Sequence, residues 1–349
     1  MKSRRLTVLG AALAVTLIAS QTGAQEGVRH LPARDIPAPD TVSPQMQEVI
    51  RRPLAPIWNE HPKSAADWKV LIARVAGQVA ATLPDLRQRL GVKSEPTVIG
   101  GVKVFLVTPE SVPEANRDRL LVHVHGGGYV LGPGEAGTRE AILMAGYGRM
   151  RILSVDYRMP PDFPYPAALD DAMAVWKEIT GTTDPKKLAI FATSTGGGMT
   201  LAMVLRAKKE ELPLPAAIAP GTPWSDMTKT GDTYLTDEQL DGVLVSYDGW
   251  LGDAAKLYAN GHDLKDPMLS PVYGDFEGFP PTILTSGTRD LFLSNTVRVH
   301  RKLRAAGVEA ELHVFEGQSH AQYYADPYAP ETKEHFRELT QFFDKHLAK

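Results

Sequence analysis

Residues 191–199 read FATSTGGGM, with Ser194 between two threonines, the apolar run LAIFA (188–192) ahead of it and three glycines behind. A serine presented on a strand-to-helix corner is normally written G-x-S-x-G, and here Ala192 stands at the first glycine. Serine before glycines is also an ordinary turn or helix cap, so the flanks must decide. KLAIFAT (187–193) carries the signal of a buried strand, and GGGMTLAMVLRAKK (196–209) has helix composition from about Gly197. Strand, one-residue corner and helix is the context a reactive serine requires. The residues two before and two after the corner must be small so that strand and helix can approach. Gly196 meets that condition, and Ala192 adds one methyl group and some local strain. The corner also sits at a helix N-terminus, where free amides and the macrodipole favour a developing negative charge.

Similar short apolar runs alternate with helical segments around this stretch. LLVHVH (120–125), MRILSVD (150–156), PAAIAP (215–220), TILTSGT (282–288) and ELHVFE (311–316) read as strands, and VIGGVKVFLVTP (98–109) as an opening hairpin or strand pair. Near-continuous apolar runs imply strands covered on both faces, hence an α/β fold with a mostly parallel central sheet flanked by helices. A closing helix over 331–346 places Phe336, Leu339 and Phe343, with Leu347 beyond, on one stripe facing the sheet. Ahead of the sheet, residues 25–91 are rich in Pro and Ala with helices at 43–52 and 64–90, the second broken at Thr82-Leu83-Pro84. We read 25–91 as an N-terminal helical cap segment and 92–349 as the catalytic domain.

At 349 residues and 43% hydrophobic content the chain can bury a large core. A formal net charge of −3 without a dense basic block argues against nucleic acid or an anionic membrane surface. Residues 1–24 combine the basic start Lys2, Arg4, Arg5, an apolar stretch over 6–19 and the small residues Thr22-Gly23-Ala24. This is the pattern of a signal peptide cleaved after Ala24, implying a periplasmic or secreted protein without stable membrane insertion. Zero cysteines excludes disulfides and a thiolate nucleophile.

HVHGGGYVLG (123–132) follows an apolar strand, and its consecutive glycines allow backbone amides to converge on one cavity, as an oxyanion demands. A phosphate loop is disfavoured, because no Lys-Ser/Thr pair follows and G-x-G-x-x-G spacing is lacking. HGGGYVLG, SVDYRMPPDFPYPAALDD (154–171) and ATSTGGG together resemble the successive signatures of the hormone-sensitive-lipase-like branch of the α/β-hydrolases, over roughly 120–346. ATSTGG stands in place of that branch's GDSAGG. The resemblance implies an α/β-hydrolase fold with a helical cap, a nucleophile at Ser194, an acid at Asp290 in TSGTRDLF and a base at His320 in EGQSHAQY. It further implies an oxyanion hole from the amides of Gly127, Gly128 and Thr195, with His125 and Gly126 shaping the loop. His123, His300 and His313 read as structural. Neither a cofactor nor a metal is implied; Asp170 and Asp171 fit a helix surface better than a metal site.

The segment 222–266 is a long insertion carrying Tyr234, Tyr247, Trp250 and Tyr258, expected to join the N-terminal helices as a lid over the site. Tyr129 is the candidate for the substrate pocket. The expected function is hydrolysis of small to medium acyl esters through an acyl-enzyme, with a small-molecule ester as partner and possible homo-oligomerisation. Amide or lactone hydrolysis would use the same residues, and a non-catalytic ligand-binding protein is the remaining reading.

Overall fold

The computed structural model describes residues 27–348. The expected signal peptide, 1–24, lies outside the described residues. The described residues 27–37 belong to a unit separate from the rest and carry no helix or strand. All the described helices and strands belong to the second unit, Ala38–Lys349.

Three helices lead into the sheet: α1 (Pro44–Ile50), α2 (Ala65–Ala80) and α3 (Leu83–Leu90). The break expected at Thr82-Leu83-Pro84 divides α2 from α3, and Pro84 sits in the first turn of α3, where its missing amide costs nothing. Strands β1 (Val92–Ile99) and β2 (Val102–Pro109) form the expected hairpin about Gly100-Gly101. The chain then alternates β3 (Leu120–Val124), α4 (Arg139–Gly148), β4 (Arg151–Val155), α5 (Ala167–Thr180), β5 (Leu188–Thr193) and α6 (Thr195–Lys209). It continues through β6 (Ala217–Gly221), α7 (Thr233–Thr236), α8 (Trp250–Ala259), β7 (Thr282–Gly287), α9 (Leu293–Ala305), β8 (Ala310–Phe315) and α10 (Pro330–His346).

The eight strands form one sheet in the order β1-β2-β4-β3-β5-β6-β7-β8. β2 pairs antiparallel with β1 and β4, while β3 through β8 are parallel. Every residue of β5 is buried, as a central strand covered on both faces must be. On one face Leu121, Ile152, Phe191 and Ile283 pack with Phe336, Leu339 and Phe343 of α10 and Met144 of α4. On the other, Val122, Ile190 and Ile218 pack with Leu201 and Val204 of α6 and Val175 of α5. The closing helix therefore docks by the stripe expected of it.

One expectation is corrected. Asp171 is not a helix-surface residue: its side chain is buried and takes Arg158 Nη2 at 2.7 Å, Nε at 3.0 Å and the Arg158 amide at 2.8 Å. A buried carboxylate needs such a paired and hydrogen-bonded partner, and it here anchors the loop after β4 to α5. Asp170, half-exposed, pairs with Arg206 at 2.5 Å.

Candidate active site

Parallel strands deliver their C-terminal ends to one edge of the sheet, and Ser194 lies on that edge, between β5 and α6. Its backbone sits at φ 67°, ψ −127°, a strained conformation for a residue with a side chain. The corner is over-determined: Ser194 N donates to Gly221 O at 2.9 Å, while its carbonyl accepts Gly198 N at 3.0 Å and Trp224 N at 2.9 Å. A Cβ on Gly196 would fall 1.9 Å from Val124 O and 2.8 Å from the Ala192 Cβ, so no side chain fits there. Ala192 is fully buried and its methyl is accommodated opposite that bare glycine. Thr193 Oγ1 donates to the buried Glu140 carboxylate at 2.7 Å and meets Tyr323 OH at 2.9 Å, fixing the residue just before the serine.

The glycine loop after β3 lies directly on this corner, because a Cβ on Gly126 would stand 2.7 Å from Thr193 O and 3.1 Å from Ser194 Cβ. Val130 and Leu131 amides close the loop onto Gly127 O at 3.1 and 2.7 Å. Among the described residues the amides of Gly127 and Gly128 donate to no protein group, and the Thr195 amide opens α6 without an intrahelical partner. His125 stacks on Tyr157 at 4.1 Å, sets Nδ1 2.8 Å from Gly126 O, and its carbonyl accepts the Tyr157 hydroxyl at 2.6 Å. Burial pushes its pKa down to about 4, so it is neutral near pH 7 and shapes the loop.

His320 follows β8 on a loop, and its Nδ1 lies 3.1 Å from Asp290 Oδ1. Both side chains are almost wholly buried. Asp290 is itself held: Phe292 N donates to Oδ1 at 2.8 Å, and Ser286 Oγ at 2.8 Å and Thr222 Oγ1 donate to Oδ2. This pattern makes one carboxylate oxygen the acceptor for the imidazole Nδ1–H and leaves Nε2 as the basic nitrogen.

Ser194 and His320 line the same cavity of about 390 Å³ with Gly126, Gly127 and Gly128. Its apolar walls come from three places: Ile57, Val75 and Val79 of the N-terminal segment, Leu131 of the glycine loop, and Val243, Leu244, Trp250 and Leu251 of the insertion. The N-terminal segment also meets the insertion through Ala55 N to Gly242 O at 2.9 Å and His61 Nδ1 to Asp253 Oδ2 at 2.8 Å. A second depression, of about 450 Å³, around Lys69, Lys103 and Asp162 is lined by neither a serine nor a histidine. Among the described residues no cluster of three or more His, Cys, Asp or Glu could hold a metal ion.

The rival serines are occupied elsewhere. Ser225 is buried against Asn295, and Ser319 Oγ accepts the Gly242 amide at 2.9 Å. His123, His300 and His313 pair with Ser154 and Glu140, with Ala310 O, and with Glu338 and Glu311 respectively, as structural histidines do.

A profile of the α/β-hydrolase fold matches residues 121–324, more than half of the chain. The chain belongs to the α/β-hydrolase family. Within it, the crystal structure of an esterase named E25 superposes with a TM-score of 0.89 at 43% identity, covering 93% of this chain and all of that one. An esterase of the bacterial hormone-sensitive lipase family superposes with a TM-score of 0.70 at 26% identity, over 79% of this chain and 98% of that one. An esterase of Acinetobacter venetianus is 26% identical over 232 residues, 66% of this chain and 76% of that protein. The hormone-sensitive-lipase-like resemblance therefore stands.

In this α/β-hydrolase the pocket differs from expectation at its aromatic residues. Tyr129 is not among the cavity's lining residues; its ring is buried and stacks on Tyr258 at 3.8 Å. Of the four insertion aromatics named from the sequence only Trp250 lines the cavity, while Tyr234 and Tyr247 pack edge to face at 5.6 Å. Sequence reasoning also missed Thr222 and Glu140, which carry no motif and meet Asp290 and Thr193 tens of residues away in the chain.

Proposed function

We propose that this chain is a secreted serine carboxylesterase hydrolysing small to medium acyl esters through an acyl-enzyme. The observation that carries the reading is Ser194 on a strained corner, sharing a cavity with His320, whose Nδ1 lies 3.1 Å from Asp290. His320 Nε2 takes the Ser194 proton as Oγ attacks the ester carbonyl, and Asp290 stabilises the resulting imidazolium. The amides of Gly127, Gly128 and Thr195 receive the oxyanion. The imidazolium returns its proton to the departing alcohol, and a water activated by His320 then releases the acid. The N-terminal helices and the insertion serve as the lid, which the cavity walls drawn from both support.

The cavity volume and apolar walls favour short acyl chains. Across a p-nitrophenyl series, kcat/KM is expected to peak between acetate and octanoate and to fall at least roughly tenfold by palmitate. No turnover of any member would sink the esterase reading. Export rests on the pattern of residues 1–24. Intact mass of protein recovered from the periplasm or medium is expected to begin at Gln25, and retention of Met1 would refute cleavage.

A further inference from the structure

The insertion carries a buried carboxylate that the acyl-transfer steps do not use. Asp241 is fully buried and spends both oxygens on backbone amides. Oδ1 accepts Val243 N at 2.8 Å and Leu244 N at 3.0 Å, the two residues that wall the cavity. Oδ2 accepts Leu291 N at 2.9 Å, next to Asp290, and His320 N at 3.3 Å. One side chain thus joins the pocket wall, the acid loop and the base loop. The same turn is tied to the base loop again by Gly242 N to Ser319 Oγ at 2.9 Å and to the N-terminal segment by Ala55 N to Gly242 O at 2.9 Å.

We infer that Asp241 is a positioning residue of the reaction: a carboxylate clamp that fixes His320 relative to Asp290 and couples that geometry to the substrate wall. The inference rests on the Ser194, His320, Asp290 reading. Its physical basis is donor and acceptor number. A carboxylate offers acceptors on both oxygens to four amides, whereas an asparagine keeps one acceptor and turns its NH2 against two amides that can only donate. Either the wall or the pair of loops must then let go. Small displacements of a base from its nucleophile are costly to rate, because proton transfer needs hydrogen-bond reach.

Charge supplies a second consequence. The titratable groups facing Asp241 are Asp290 and His320 from the loops packed on it and Asp237 one turn back on its own segment. Burial, then the Asp290 charge, push Asp241 up to about 6, with His320 and the amides acting in the opposite direction. The attraction between an ionised Asp241 and a protonated His320 is lost when the carboxylate is replaced. The acid limb of kcat/KM should move to lower pH, which a purely structural residue would not cause.

The test compares wild type, Asp241→Asn and Asp241→Ser in the full-length protein. Rates are normalised to the fraction of Ser194 labelled by a fluorophosphonate probe, so that misfolded molecules do not count. Should the asparagine variant fail to fold, the serine variant, which removes the charge and leaves room for water, reads the same quantities. We expect kcat per labelled site to fall roughly 10- to 100-fold and the acid limb to move down by about half a pH unit. Asp237→Asn, which removes a neighbouring, less deeply buried carboxylate with no hydrogen bond to either loop, is expected to stay within about threefold. Wild-type kcat per labelled site in the Asp241 variants, an unmoved acid limb, or an equal loss in Asp237→Asn would overturn the clamp. Wild-type protein that takes no label at Ser194 would bring down the triad reading and this inference with it.

Discussion

Ser194→Ala and His320→Ala are each expected to lower p-nitrophenyl ester turnover by roughly 10⁴-fold or more, and the double variant to be scarcely worse than either single. The non-additivity follows from the shared step: without the serine there is no proton for His320 to take, and without the base Ser194 is a poor nucleophile. Residual rate in either variant then reflects the oxyanion amides and the cavity alone. Neither substitution should unfold the chain. The Ser194 corner is held by backbone bonds to Gly221, Gly198 and Trp224 that alanine retains, although its positive φ keeps the strain in place. The fluorophosphonate probe should label wild type at Ser194 and spare Ser194→Ala. Full activity in Ser194→Ala, with label on Ser225 or Ser319 instead, would refute the assignment.

Asp290→Asn is the second large effect, expected at about 10³- to 10⁴-fold in kcat/KM. The carboxylate receives Phe292 N and the imidazole on one oxygen and two hydroxyls, of Ser286 and Thr222, on the other. An asparagine keeping its oxygen toward Phe292 preserves the imidazole tautomer but carries no charge to stabilise the imidazolium. Turned the other way it presents NH2 to His320 and imposes the wrong tautomer. Both orientations are slow, the second more so. Activity within tenfold of wild type, measured with fluorophosphonate labelling intact, would remove Asp290 from the reaction.

The parts of this site that were legible in the sequence are those written into the local backbone. β5 announces itself because a strand buried on both faces must be continuously apolar. Gly196 and Gly126 announce the corner and the loop because no side chain fits where they approach Val124 and Thr193. Ala192 departs from the usual pattern yet is tolerable for the same steric reason, since only one of the two facing positions needs to lack a side chain. The succession Ser194, Asp290, His320 came from the family resemblance, and each residue follows a strand of the same parallel sheet.

What only the tertiary structure decided is which side chains fill the space between those strand ends. Asp241 sits in DEQLDG, a polar run of the insertion that no motif marks, and becomes a buried clamp because loops 50 and 79 residues away fold onto it. Asp171, read with Asp170 as a helix-surface pair, is buried instead because Arg158 pairs with it. Tyr129 and Trp250 are both large aromatics near a glycine loop, and the packing of α8 sends Trp250 to the cavity and locks Tyr129 against Tyr258. Backbone form depends on neighbours in the chain and leaves a local pattern of apolar runs and glycines. The partner of a single polar or aromatic side chain depends on long-range packing, which no local pattern records.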